Sequence, residues 1–350
     1  MVRRLIKRFR FHDTLHGPMI VLGVLGFLTL GILCFLWIGI PQKPNPHLRA
    51  GVTFSVPYAQ ELGLNWREVL TASLDDLGIR YFRIPAYWSL IEAKKGAYDW
   101  SMVDYQLDEI AKRNGHVTLA IGAKLPRWPE CWIPDWALQG GRGGEESARF
   151  AYLQAVVERY RHHQAVSAWQ VENEALFHFG VCPKPDANLL KREIAFVREL
   201  DRGEHPITTT DSGELSSWVR VGSMVDALGV STYRVVRTFW GAIWEYRFIP
   251  NYWYARRALL IRAIVKDVYV SEFQMEPWTT QGILETPILE QTAFFSPERM
   301  QAHFDYAERM EFSSVSFWGI EWWWWMKTQQ NDSRYWDIAR TFFHAHTDAF

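Results

Sequence analysis

From about residue 50 to the C-terminus, short runs of β-forming residues alternate eight times with amphipathic helical stretches, and this rhythm limits the chain to a parallel-sheet α/β fold. The β-rich runs are Gly51–Val56, Arg80–Pro85, Val117–Gly122, Ala168–Glu172, Ile207–Asp211, Leu228–Thr232, Val268–Glu272 and Ser314–Trp318. Helical patterns follow them at Trp66–Leu77, Val103–Arg113, Ala148–His162, Leu189–Leu200, Leu215–Val225, Tyr252–Ile264, Pro297–Met310 and Tyr335–His344. Eight such units suit a (β/α)₈ barrel, which typically needs about 250 residues. The predicted barrel occupies residues 50–350. A doubly wound open sheet is the rival, but it usually carries a Gly-rich phosphate loop after its first strand, and no G-x-G-x-x-G stands there. Gly140–Gly144 (GGRGG) reads as a flexible stretch of the long loop before the third helix.

The first 49 residues do not share this rhythm. Residues 19–40 (MIVLGVLGFLTLGILCFLWIGI) carry no charge over 22 positions. At 1.5 Å per residue such a helix covers a hydrocarbon core of about 30 Å, so the segment is expected to be a transmembrane anchor. Arg3, Arg4, Lys7, Arg8 and Arg10 lie in the preceding segment 1–18, against Lys43 and Arg49 after it. The positive-inside rule then keeps the N-terminus cytoplasmic and the domain that follows residue 49 outside the cell membrane. The apolar run exceeds the usual length of a cleavable signal, and no A-x-A-like site precedes Pro41. Residues 41–49, with three prolines, form a semi-rigid spacer.

Composition narrows the partners. A formal net charge of -1 gives no field that would attract a polyanion, so nucleic acid is not an expected partner. No Cys/His cluster or acidic loop with metal spacing is present, and neither a metal nor another cofactor is expected. Cys131 and Cys182 fall on the extracytoplasmic side, where a disulfide is permitted. The sequence leaves open whether they are bridged.

Residues at the C-terminal ends of barrel strands point into a shared mouth, so polar groups that break an apolar strand there are informative. The fourth run, VSAWQVENEALF, delivers Asn173 and Glu174 where the strand should stop, and the seventh, DVYVSEFQMEPW, ends on Glu272. Three strands apart, the two glutamates should face each other. Glycoside cleavage needs such a pair: one carboxylic acid to protonate the leaving oxygen, and one carboxylate to attack or to activate water. Strand alternation turns Glu172 away from Asn173 and excludes it as the acid. Glu276 lies past the strand end and reads as a subsite residue.

These features resemble glycoside hydrolase clan A, the retaining (β/α)₈-barrel glycosidases of the cellulase and β-glycosidase superfamily. The resemblance extends from about residue 50 to the end. It implies that Glu174 is the acid/base, that Asn173 beside it holds the sugar 2-hydroxyl, and that Glu272 in VSEFQ is the nucleophile. Arg83 in RYFRIPAYW would bind Glu272 and favour its charged form. Tyr233 in VSTYR would contact the nucleophile, and Trp318 in VSFWG would floor the subsite beside the scissile bond. The histidine that many members carry at the third strand is missing, with Lys124 in that region instead, so the substrate is not implied.

The expected partner is a carbohydrate, and Trp132 and Trp136 in the third loop are candidate stacking platforms for it. Glu321 and Trp322–Trp325 read as a continuation of the eighth strand. The aromatic loop 235–255 would roof the cleft or, alternatively, dip into a lipid interface. Alternative functions are a transglycosidase with the same site and a catalytically inactive, anchored glycan-binding barrel.

Overall fold

The computed structural model describes residues 21–40, 42–238, 240, 242–279 and 281–346. Its strands are β1 (Arg49–Thr53), β2 (Tyr81–Pro85), β3 (His116–Ile121), β4 (Val166–Val171), β5 (Ile207–Ser212), β6 (Ala227–Thr232), β7 (Val235–Arg237), β8 (Ile243–Glu245), β9 (Asp267–Gln274) and β10 (Ser314–Trp318). The helices are α1 (21–37), α2 (Val56–Glu61), α3 (Trp66–Asp75), α4 (Trp88–Ile91), α5 (Ser101–Ala111), α6 (Asp135–Leu138), α7 (Gly141–Tyr160), α8 (Ala187–Asp201), α9 (Val219–Gly222), α10 (Tyr252–Leu260), α11 (Ile288–Phe294), α12 (Pro297–Glu308), α13 (Ile320–Gln329) and α14 (Arg334–Ala345).

Eight strands close in the order β1-β10-β9-β6-β5-β4-β3-β2, all parallel, which is the barrel anticipated from the repeat. The strands read as apolar runs because helices cover their outer face, where Val52, Phe82, Leu119, Trp169, Leu228, Val270 and Phe317 are buried. The interior of the barrel is polar. Arg83 donates to Gln170 and Thr53, Thr53 bonds Ser316, and Tyr269 donates to Thr208.

The structure departs from the sequence reading at four places. Gly141 to Gly144 are not loop: α7 begins at Gly141, because Arg142 pairs with Asp186 at the helix start and buried Arg149 pairs with Glu145 one turn further on. The stretch 215–225 is helical only over α9, since buried Trp218 takes a φ of 67° and donates its indole to the Ser212 carbonyl. Trp322–Trp325 continue into α13 rather than the eighth strand, with Gly319 at a φ of 128° making the break. The aromatic loop contains an antiparallel hairpin, β7–β8.

Among the described residues no helix is long and apolar enough to cross a membrane. α1 is the described part of the expected anchor; the basic segment 1–18, residues 19 and 20, and Pro41 lie outside the described residues.

Two glycine substitutions should move stability in opposite directions. A Cβ at Gly51 would come within 2.6 Å of the Tyr81 carbonyl on the neighbouring strand, so Gly51→Ala should lose about 1–3 kcal/mol. A Cβ at Gly143 meets nothing within 4 Å inside α7, so Gly143→Ala should gain about 0.4–1 kcal/mol. Urea unfolding midpoints check both, and equal shifts would contradict the packing described.

Candidate active site

β4 ends in a strained turn. Glu172 and Glu174 have φ of 60° and 42°, a region costly for residues with a Cβ, and three hydrogen bonds hold them there. The Glu172 amide donates to the Ile121 carbonyl at 2.9 Å, the Asn173 amide to the Lys124 carbonyl at 2.7 Å, and the Glu174 amide to Thr210 Oγ1 at 2.7 Å. The turn sends Glu172 to the outer side of the sheet. There its carboxylate accepts from the Ala123 and Lys124 amides at 2.7 and 2.5 Å and lies 3.5 Å from Arg149.

Asn173 and Glu174 turn the other way, towards Arg83. The Arg83 guanidinium is 3% exposed and donates to Glu272 Oε1 at 2.6 Å, Asn173 Oδ1 at 2.7 Å and Gln170 Oε1 at 2.7 Å. Tyr233 Oη donates to the second oxygen of Glu272 at 2.9 Å. Glu272 is thus gripped at both oxygens. Thr210 also donates to Asn173 Oδ1 at 2.7 Å, which fixes the amide with its Nδ2 donors turned to the mouth. The Ser231 hydroxyl donates to Glu174 Oε1, and Ser231 is the register partner of Glu272 across β6 and β9. Arg83, Asn173, Glu174, Tyr233 and Glu272 therefore form one cluster, drawn from four different strands or strand ends.

Charge in this cluster is unevenly held. Burial, and then the charge of Glu272, push the Glu174 carboxyl from 4.5 to about 7. A third acid, Glu130, was not singled out in the sequence. It accepts from Asn173 Nδ2 at 3.3 Å, and burial together with Glu272 and Glu174 holds its proton well above the usual carboxylate range. Glu130 sits at a φ of 73° in the loop after β3, and the disulfide between Cys131 and Cys182 ties that loop to the one after β4. Closing a loop of 51 residues in the unfolded chain is worth about 4 kcal/mol in the chain-entropy model.

Arg127, in the same loop, makes the aromatic wall. Its guanidinium lies between the rings of Tyr58 and Trp318, 3.7 and 3.9 Å from their centroids, and pairs with Glu276 and, at 3.0 Å, with Glu321. Trp318 donates its indole N–H to Glu276 at 2.7 Å. One face of Trp318 is accordingly covered by a cation. Trp132 packs on Tyr87 with centroids 4.2 Å apart, whereas Trp136 joins Trp88 and donates to the Glu92 carbonyl at 2.8 Å. Gln170, which faces Arg83 from β4, was not singled out in the sequence. Ser231, Thr210, Glu130 and Arg127 carried no sequence signal, because their roles arise from contacts between distant strands and loops.

A cavity of about 630 Å³ lies on the far side of β4, lined by Glu145, Arg149, Glu172, Glu193 and the disulfide. Neither Glu174 nor Glu272 lines it. Its acids are met by Arg149 and by backbone amides.

Titration of isotopically labelled glutamate by carbon NMR should place the Glu174 midpoint at about 7. The Ser231 hydrogen bond favours the carboxylate, so Ser231→Ala should raise that midpoint. A midpoint near 4.5 in the wild type would contradict the electrostatics described.

No family model and no curated protein sequence matches the chain. Solved structures do. A β-galactosidase from the psychrophilic Marinomonas ef1 superposes with a TM-score of 0.53 at 15% identity, over 77% of this chain and 53% of that one. A GH5_18 protein from Streptomyces cattleya in complex with GlcNAc gives 0.51 at 14%, over 80% and 71%. A GH5_18 variant from Bifidobacterium longum in complex with Manb1-4GlcNAc gives 0.55 at 11%, over 78% and 69%. The chain spans about half the length of the β-galactosidase. At these identities the likeness is one of fold, a closed parallel (β/α)₈ barrel.

Proposed function

We propose that the protein is a retaining β-glycosidase with Glu174 as acid/base and Glu272 as nucleophile. One observation carries this reading: two adjacent glutamates are held in opposite states, Glu272 gripped by a guanidinium and a phenol, Glu174 keeping its proton up to about 7. Identical side chains can then do opposite tasks.

In the first step Glu272 attacks the anomeric carbon while Glu174 gives its proton to the departing oxygen, which leaves as an alcohol. The product is a glycosyl ester on Glu272. Ester formation removes the charge that helped raise the Glu174 pKa, so Glu174, now a carboxylate, can take a proton from the attacking water. Release of the sugar regenerates both groups with configuration retained. If a sugar hydroxyl replaces water, the same site transfers instead of hydrolysing. Asn173, fixed by Arg83 and Thr210, presents its amide to the 2-hydroxyl. The sugar ligands of the two GH5_18 neighbours support a β-linked glycan or glycoconjugate as substrate. The Arg127-backed Trp318 lines the subsite beside the bond cut.

The same reading places the protein at the cell membrane, with residues 19–40 as a single-pass anchor, 41–49 as spacer and the barrel outside. Supporting it are the basic residues before the span and the exposure of Val21, Leu22, Leu25, Phe27 and Leu28 on α1, large apolar side chains that the protein leaves uncovered.

On a panel of aryl β-glycosides, Glu174→Gln should lower kcat by about 10²–10⁴, most for poor leaving groups. Glu272→Gln should lower it by about 10⁴ or more on every substrate. Wild-type turnover should fall as pH rises through about 7, because only protonated Glu174 can act as acid. Equal turnover by the variants and the wild type would remove the assignment, and glycan binding by a wild type without turnover would favour a glycan-binding barrel.

A further inference from the structure

We propose that the β7–β8 hairpin and α10 form a lipid-contacting face that seats the mouth of the barrel at the bilayer surface. The inference rests on the reading of residues 19–40 as a membrane anchor, and concerns a different part of the molecule.

The C-terminal end of α1 does not hang free of the barrel. Tyr252 Oη donates to the Trp37 carbonyl at 2.9 Å, and Arg256 Nη1 donates to the carbonyls of Phe35 and Ile38 at 2.5 and 2.7 Å. Trp37 packs edge-on against Trp253 with centroids 5.7 Å apart, and Leu36 is buried. These bonds cap the last carbonyls of α1 with a cation and fix where the apolar helix leaves the folded body. That place is α10.

On either side of these docking residues in the chain, large apolar side chains face outward. Ile243, Trp244 and Phe248 precede them, and Leu259, Leu260 and Ile264 follow, each between 42% and 56% exposed. Exposed Arg262 and Lys266 accompany the second group. Aromatic and aliphatic side chains beside basic ones, next to the root of an uncharged apolar helix, are suited to the headgroup and acyl boundary of an anionic bilayer. A soluble partner would explain the patch alone. It would not explain why the patch adjoins the attachment point of a helix whose whole described length before residue 34 is exposed.

The hairpin also fixes how far the site can be from that surface. Trp244 pairs with Val236, three residues after Tyr233, whose hydroxyl touches Glu272. At about 3.3 Å per residue and one strand spacing of about 5 Å, Trp244 lies within about 15 Å of Tyr233. Gln274 holds this root rigid by bonding both the amide and the carbonyl of Val235, at 2.9 and 2.7 Å. Glu245 pairs with Arg299 of α12 at 2.8 Å, which ties the hairpin to the body of the barrel instead of leaving it as a movable roof. A mouth held this close to lipid headgroups would draw on glycans carried at the membrane.

The test uses the full chain in vesicles of phosphatidylethanolamine and phosphatidylglycerol doped with a photoactivatable lipid, followed by digestion and peptide mapping. Label is expected both on the peptide covering α1 and on those covering 243–264. The triple variant Trp244→Ser, Phe248→Ser, Leu259→Ser should keep α1 labelled, lose labelling at 243–264 by at least about fivefold, and turn over a water-soluble glycoside as the wild type does. Label on α1 with none at 243–264 overturns the proposed face and leaves the anchor standing. Absence of label from both overturns the anchor reading and this inference with it. Protection of 243–264 by a second copy, without lipid label, assigns the face to self-association and overturns the proposal.

Discussion

A single buried guanidinium organises the mouth of this barrel. Arg83, on β2, reaches β9 through Glu272, the end of β4 through Asn173 and Gln170, and β1 through Thr53. A charge taken so far from water is tolerated only when its donors are matched, and here they find acceptors on three other strands. The same bonds that satisfy Arg83 orient the proposed nucleophile and the amide beside it. Fold and chemistry are therefore coupled: the barrel must close in register for the guanidinium to be compensated, and the compensated guanidinium fixes the site.

The positive charge of Arg83 does not neutralise its surroundings. Glu130, Glu174 and Glu272 share one buried volume, and burial opposes ionisation of Glu130 and Glu174. The group with the guanidinium takes the negative charge, and the other two keep protons: Glu174 to about 7, Glu130 higher. Arg127 repeats the arrangement a few residues away. It is shared by Glu276 and Glu321 and clamped between two aromatic rings. Two arginines thus partition five acids into distinct roles. The loop that brings Arg127 and Glu130 to the mouth is held by the Cys131–Cys182 bridge, so the disulfide has a direct bearing on the electrostatics of the site.

The barrel was legible in the sequence because parallel strands buried on both faces read as apolar runs, and helices between them as periodic stripes. The strand ends were legible for the same reason: Asn173, Glu174 and Glu272 interrupt those runs. What failed was local. GGRGG has poor helix propensity, yet it is helical because ion pairs with Asp186 and Glu145 anchor the first turns of α7. Residues 215–225 have a helical stripe, yet burial of Trp218 in a left-handed conformation breaks it. Glu130 and Arg127 could not be found, since a loop residue reveals its role only through the strands that it meets. That Glu172 points away from Asn173 was expected, but plain alternation would have set it on the inner face with Gln170, and the positive φ that turns it outward had no sequence signal.

The central claim is that, of the carboxyl groups at the mouth, the one bonded to Arg83 is the group that attacks carbon. A 2-deoxy-2-fluoro glycoside with an activated leaving group slows the second step of a retaining reaction, so the covalent intermediate accumulates and can be located by peptide mass spectrometry. The account predicts one glycosyl ester per chain, on Glu272. An ester on Glu130, Glu174 or Glu276, or release of inverted sugar with no ester on any of them, would contradict it.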